Sequence, residues 1–266
     1  MASLIESQDS APDASAVPAP TTFTLVNHSF SFLASKKNNE LLTKWNLLPD
    51  LKVARFRSST HIKKGDVTSL TSLVRSFVND PAVGATLGTS SVEDITGVSV
   101  TPLSCSVLNM NFFDAVTTDN EVVTSTDLIR ACMDETFDGI TIQDKLREML
   151  VNPDSENCHL FEEGQKKEWI YHLLKLVCVG GAMCQAEDKF AEYKEVTKAI
   201  YKDTVSVQKS AKTGKVEITS ACFQVDEWGG KDELWKKNSV HNKYYVVVDP
   251  GAGIVNVVYK PFVPFW

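Results

Sequence analysis

No stretch of this chain is apolar enough for long enough to cross a bilayer as a helix, which takes about 20 such residues. The longest apolar run, Leu173 to Cys184, is interrupted by Lys175 and by Gly180-Gly181. The opening residues, MASLIESQDS, hold no Lys or Arg and no apolar segment, so neither a secretory signal nor an Arg-rich transit peptide is expected. Cysteines are few. Cys105, Cys132, Cys158, Cys178, Cys184 and Cys222 are irregularly spaced and form no C-x-x-C pair. That excludes a disulfide scaffold and reads as reduced cytosolic thiols used as small core residues. Basic charge is also short. Lys and Arg total 27 against 34 Asp and Glu, a formal charge of −7, which argues against non-specific nucleic-acid binding. No repeat of fixed period occurs, which excludes a solenoid or propeller.

Catalytic signatures are missing as well. Neither G-x-S-x-G nor a Cys/His nucleophile signature is present, and His28, His61, His159, His172 and His241 are scattered. The pairs Glu162-Glu163, Asp226-Glu227 and Asp232-Glu233 lie in polar surroundings and read as solvated faces. The run from Gly251 to Asn256 falls one residue short of G-x-G-x-x-G, and a strand follows it, so it reads as a hairpin turn. Lys212-Thr213-Gly214-Lys215 has the wrong order for a P-loop. Gly180-Gly181 lies between two helical segments with no Lys or Ser/Thr placed to hold phosphate, and reads as a helix stop with close packing. Cys178 and Cys184 are too far apart for a typical zinc-ligand pair, and His172 is as far again. No catalytic residue, cofactor or metal ligand is therefore expected.

What remains is ordinary globular composition, with 43% apolar and 23% charged residues in a chain of 266. Residues 1–22 are rich in Ala, Ser and Pro and read as a disordered tail, with a single domain over residues 23–266. LKVARFRS alternates like a strand, and Asp66 can cap a helix that ends at Asn79-Asp80-Pro81. Residues 95–109 look β-like, and short helices are expected around Phe112, around Ile129 and from Ile142 to Val151. Lys166 to Val179 carries a broad apolar face and predicts a buried central helix. A surface helix follows from about Ala186 to Asp203. Two hairpins end the chain, turning at 211–214 and 250–253. Helices followed by antiparallel hairpins give an α+β class.

Three features suit partner binding. The connection 226–243, DEWGGKDELWKKNSVHNK, is long for a compact domain and holds Trp228 and Trp235. These rings either pack on their own sheet or anchor a partner. The ending YKPFVPFW carries Phe262, Phe265 and Trp266, and either covers the core or docks elsewhere. Lys194, Lys198 and Lys202 form a basic stripe on the surface helix, partly offset by Glu192, Glu195 and Asp203, and read first as a solvated face.

At LLKLVCVGGAMCQAED, AIYKDTVSV and VEITSACFQV the sequence resembles the cilia- and flagella-associated protein 300 family. LLTKWNLLPDLKVARF, FVNDP, LNMNFFD and YVVVDP match in the same order, so the resemblance covers most of residues 38 to 260. Residues 1–22 and the ending FVPFW lie outside it. The resemblance implies a non-enzymatic protein of motile cilia, required for outer and inner dynein arms to reach the axoneme. It implies an assembly or transport factor working beside cytoplasmic dynein axonemal assembly factors and the intraflagellar transport machinery, in the cytoplasm and the cilium. The expectation is a single α+β adaptor without cofactor, nucleic acid or membrane, binding partners through Trp228, Trp235, Phe265 and Trp266. The competing readings are a stable structural component of the axoneme, and a nucleotide- or metal-binding enzyme using the Gly180-Gly181 region.

Overall fold

The last two strands of the chain form the middle of the main sheet. A computed structural model describes residues 21–63, 65–89, 97–227, 235 and 239–263. In chain order the strands are β1 (Phe23–Val26), β2 (Lys52–Ser58), β3 (Ser99–Leu103), β4 (Ala131–Phe137), β5 (Ile140–Asp144), β6 (Val207–Lys209), β7 (Val216–Ile218), β8 (Ala221–Glu227), β9 (Lys243–Asp249) and β10 (Ile254–Lys260). The helices are α1 (Ser31–Ala34), α2 (Lys36–Lys44), α3 (Val67–Val78), α4 (Pro81–Leu87), α5 (Lys145–Val151), α6 (Glu163–Lys166), α7 (Trp169–Val179) and α8 (Phe190–Thr204). Six strands pair antiparallel in the order β1-β2-β10-β9-β8-β3, and β4-β5 and β6-β7 are separate ribbons. The class is α+β, as the sequence predicts.

Helices cover both faces of the sheet. Tyr245, Val247 and Val258 join one core with α2, α5, α7 and α8. Tyr244, Val246, Val248, Val255, Val257 and Tyr259 join a second core with α3 and α4. Two-sided burial explains why β9 and β10 read as nearly continuous apolar runs instead of alternating ones. The Pro250–Gly253 turn between them is held by Asp249 Oδ1, which accepts from the Gly251 and Ala252 amides at 3.0 and 3.2 Å.

The central helix is present as α7, and nine of its eleven residues are buried. It stops at Gly180, with φ 63° and ψ −150°. A Cβ there would lie 2.3 Å from the Trp45 carbonyl oxygen, and one on Gly181 would lie 2.3 Å from the Asn46 carbonyl oxygen. The glycines thus let the end of α7 close on the turn after α2. The predicted helix over 67–78 is α3, with Asp66 accepting from the Thr68 amide.

Three local expectations are corrected. The segment from Ile142 does not begin a helix: Ile140, Ile142 and Asp144 are buried in alternation on β5, and α5 starts only where Asp144 Oδ1 caps the Arg147 amide at 2.8 Å. The Asp138-Gly139 turn, with both residues at positive φ, makes β4-β5 a hairpin. Around Ile129 there is no helix, because Ile129 bridges to Val123 and its amide donates to the Asp188 carbonyl. That bond, with the Leu128–Lys189 bridge, also holds 188–189 extended, so α8 begins at Phe190 and not near Ala186. Among the described part of 95–109, only Ser99–Leu103 forms a strand. Of the expected disordered tail over 1–22, residues 1–20 lie outside the described residues, while Thr22 is tied to Ser59 by its amide and carbonyl, each at 2.9 Å.

Candidate interaction surface

The two segments singled out for partner binding converge on one cleft. Ser239, Val240 and His241, from the end of the 226–243 connection, line it together with Phe262 from the C-terminal segment. Ala182, just after α7, and the Asp138-Gly139 turn complete the walls of a space of about 470 Å³. His241 holds the assembly together. Its Nδ1 donates to the Gly180 carbonyl at 3.0 Å, and its ring stacks on Phe262 at 6.1 Å. Burial, and after it Lys243 and Lys260, pull its pKa below the usual imidazole value despite the Gly180 bond. The Phe262 amide donates to Asn242 Oδ1 at 2.6 Å. Val240 on its wall is 36% exposed, and Met183, on the wall of an adjoining recess, is 66% exposed. Apolar side chains left in water beside a concavity suit a protein contact better than bulk solvent.

A smaller recess of about 240 Å³ shares Gly139, Ala182 and His241 with this cleft. Arg147, Gln143 and Cys184 line it. Sequence reasoning missed these residues. The signal was one Arg between Leu146, Met149 and Leu150 on a short apolar helix, where a charge must face something polar or a cavity.

Trp228, Phe265 and Trp266 lie outside the described residues. Trp235 is half-buried and stacks nearly parallel on Tyr259, with centroids 5.4 Å apart. One face of its ring therefore packs on the sheet. Of the basic stripe, Lys198 and Lys202 are exposed and Lys194 lies 3.9 Å from Asp114. Glu192 and Glu195 instead grip Lys37 at 2.9 and 2.8 Å.

The remaining candidate chemistry disperses. Cys178 is buried inside α7, while Cys184 Sγ accepts from Arg147 Nη2 at 2.9 Å. His172 sits apart, its ring 5.8 Å from that of Tyr245. Burial, then Lys175 and Lys243, hold the His172 pKa down to about 4, and burial lowers Lys243 to about 8. Among the described residues no group of three His, Cys, Asp or Glu is placed to hold a metal ion. No described helix is long and apolar enough to cross a membrane.

The sequence model described as "Cilia- and flagella-associated protein 300" matches residues 20–260. A Chlamydomonas reinhardtii protein of that name is 33% identical over 238 residues, spanning 85% of this chain and 91% of its own. A Paramecium tetraurelia protein of the same name is 30% identical over 252 residues, spanning 91% of this chain and 97% of its own. No solved structure matches the chain. The match runs from β1 through β10 and takes in both cores, and with it the chain belongs to the cilia- and flagella-associated protein 300 family.

Proposed function

We propose that this protein is a non-enzymatic adaptor in the assembly and transport of outer and inner axonemal dynein arms. It would work in the cytoplasm and enter the cilium or flagellum, beside cytoplasmic dynein assembly factors and the intraflagellar transport machinery. The observation that carries the reading is membership of a cilia- and flagella-associated family along the length of the fold. The cleft between Val240, Phe262 and Met183 gives such an adaptor a place to hold a partner. Its action is recognition by surface, with Trp228, Trp235, Phe265 and Trp266 as the proposed anchors.

The test is deletion of the gene in a ciliated cell, with dynein arms counted in axoneme cross-sections. Loss of both arm types on intact doublets is expected. Normal arms overturn the reading. Rescue with a Val240→Asp, Met183→Asp chain then asks whether the cleft is the working surface. Both positions are exposed, so the fold should survive the change. Full rescue by that folded variant would remove the cleft from the proposal.

A further inference from the structure

Arg147 is a buried cation that makes no direct ion pair among the described residues. Its residue is only 3% exposed. Nε donates to the Cys178 carbonyl at 2.8 Å and Nη2 to the Cys184 thiol at 2.9 Å, both uncharged acceptors. Burial keeps that thiol protonated, its pKa pushed to about 11. Among the described residues no carboxylate hydrogen-bonds to the guanidinium, whose bonds are those two. Asp144 acts on the guanidinium through space, but its Oδ1 accepts the Arg147 backbone amide as the cap of α5. A guanidinium withdrawn from water and left in this condition is costly unless an anion completes it.

The space beside it is open. Arg147 lines the recess of about 240 Å³, with the Gln143 side chain and Thr141 on the β5 wall. The planar fork of an arginine matches a carboxylate in two parallel hydrogen bonds. An amide and a hydroxyl alongside can donate to the same oxygens. The recess opens past Gly139, Ala182 and His241 into the wider cleft with its apolar rim.

We propose that the recess over Arg147 binds a carboxylate, supplied by a Glu or Asp side chain of a partner polypeptide that lies in the adjoining cleft. The recess has room for one acid group. The larger cleft, lined by Val240 and Phe262 and adjoining the exposed Met183, suits the residues that flank an acidic side chain in a polypeptide. The assignment rests on the adaptor reading for its partner, but its chemistry is tested on the purified chain without cilia.

Cys184 shares the recess and reports on it. The folded full-length chain is alkylated with iodoacetate or with neutral iodoacetamide, and each cysteine is quantified by peptide mass spectrometry. In both reactions the thiolate displaces iodide and forms a sulfur–carbon bond, so the ratio of the two rates isolates the carboxylate. At Cys184 that ratio should exceed the ratio at Cys158 by about fivefold or more. Equal ratios at the two cysteines overturn the proposal. Arg147→Gln should bring the Cys184 ratio down to the reference. Because that variant also loses the Cys178 and Cys184 bonds, a second arm leaves the chain intact. The blocked peptide Leu-Glu-Leu should slow iodoacetamide at Cys184, and Leu-Gln-Leu should not. Equal protection by the two peptides overturns carboxylate recognition. Glutarate protecting as well as Leu-Glu-Leu overturns the polypeptide source. Carboxylate recognition by the purified chain, together with normal dynein arms in the deletion strain, would keep the site and discard the adaptor role.

Discussion

Gly180 and Gly139 both sit at positive φ, 63° and 79°, yet substitution should separate them. Around Gly139 nothing lies within 4 Å of a built Cβ, so Gly139→Ala meets only the backbone preference, about 1 kcal/mol. At Gly180 the same Cβ would strike a backbone oxygen at 2.3 Å and Cys184 Sγ at 2.6 Å. Strain and overpacking together should cost about 2–5 kcal/mol. Urea unfolding of the two variants measures the gap, and equal losses would contradict the close approach. The helix-stop role of Gly180-Gly181 was legible in the sequence. Its partner, the turn at Trp45–Asn46, was not, because a contact across so many residues leaves no local trace. His172 gives a pH test at the same scale. Its folded pKa of about 4 lies below the unfolded value of about 6.5, so the unfolded chain takes up the proton first. Stability is full above pH 6.5 and falls as pH drops toward 4. Between pH 7.5 and 4.5 the loss should be about 2 kcal/mol. His172→Gln should flatten that dependence, and an unchanged pH profile would show the ring titrating normally.

Among the elements, α7 was readable because its apolar face is wide enough to leave no alternative to burial. Leu174 is fully buried on it, and Leu174→Ala should cost about 2–5 kcal/mol by chemical denaturation. A loss under 1 kcal/mol would place that side chain outside the core. The stretch 140–151 was misread because Ile142, Leu146 and Leu150 fit a helical period as well as a strand running into a helix. The Asp138-Gly139 turn and the Asp144 cap were the signals that decide it, and they depend on backbone conformation more than on hydrophobic pattern. Asp80 joins two elements in one residue. Its Oδ1 caps α4 through the Ala82 amide at 2.8 Å, and its Oδ2 accepts the Phe23 amide of β1 at 3.1 Å. Asp80→Ala should cost about 1–2 kcal/mol. It should also speed hydrogen exchange at the start of β1, and exchange confined to α4 would show that the link to Phe23 is incidental.

Across the whole molecule, one sheet carries two cores, and damage to one should be felt in the other. Phe77, fully buried against Phe23 and Phe56 under α3, lies across the sheet from Trp45 and Trp169. Phe77→Ala should lower stability by about 3–5 kcal/mol. It should move tryptophan fluorescence and far-ultraviolet circular dichroism to the same new midpoint. Two separated transitions would mean that the layers unfold apart. The class of the fold was visible in the sequence, but the strand order was not, since β2 pairs with β10 across some two hundred residues, as in Arg55 opposite Asn256. The cleft was half visible. Its two flanking segments stood out by length and aromatic content, whereas Arg147 became meaningful only once the recess in front of it was seen.

The central position of β9 and β10 has a consequence for synthesis. They leave the ribosome after every strand they pair with, so β2, made long before, waits with an open edge for β10. A premature stop before Lys243 would leave β1-β2 and β8-β3 as two unconnected pairs. Expression of residues 1–242 should therefore give insoluble or degraded product, and a soluble, cooperative fragment would refute this. A nonsense codon before Lys243 would act as a null allele, and the nascent chain would depend on chaperones until β10 is made.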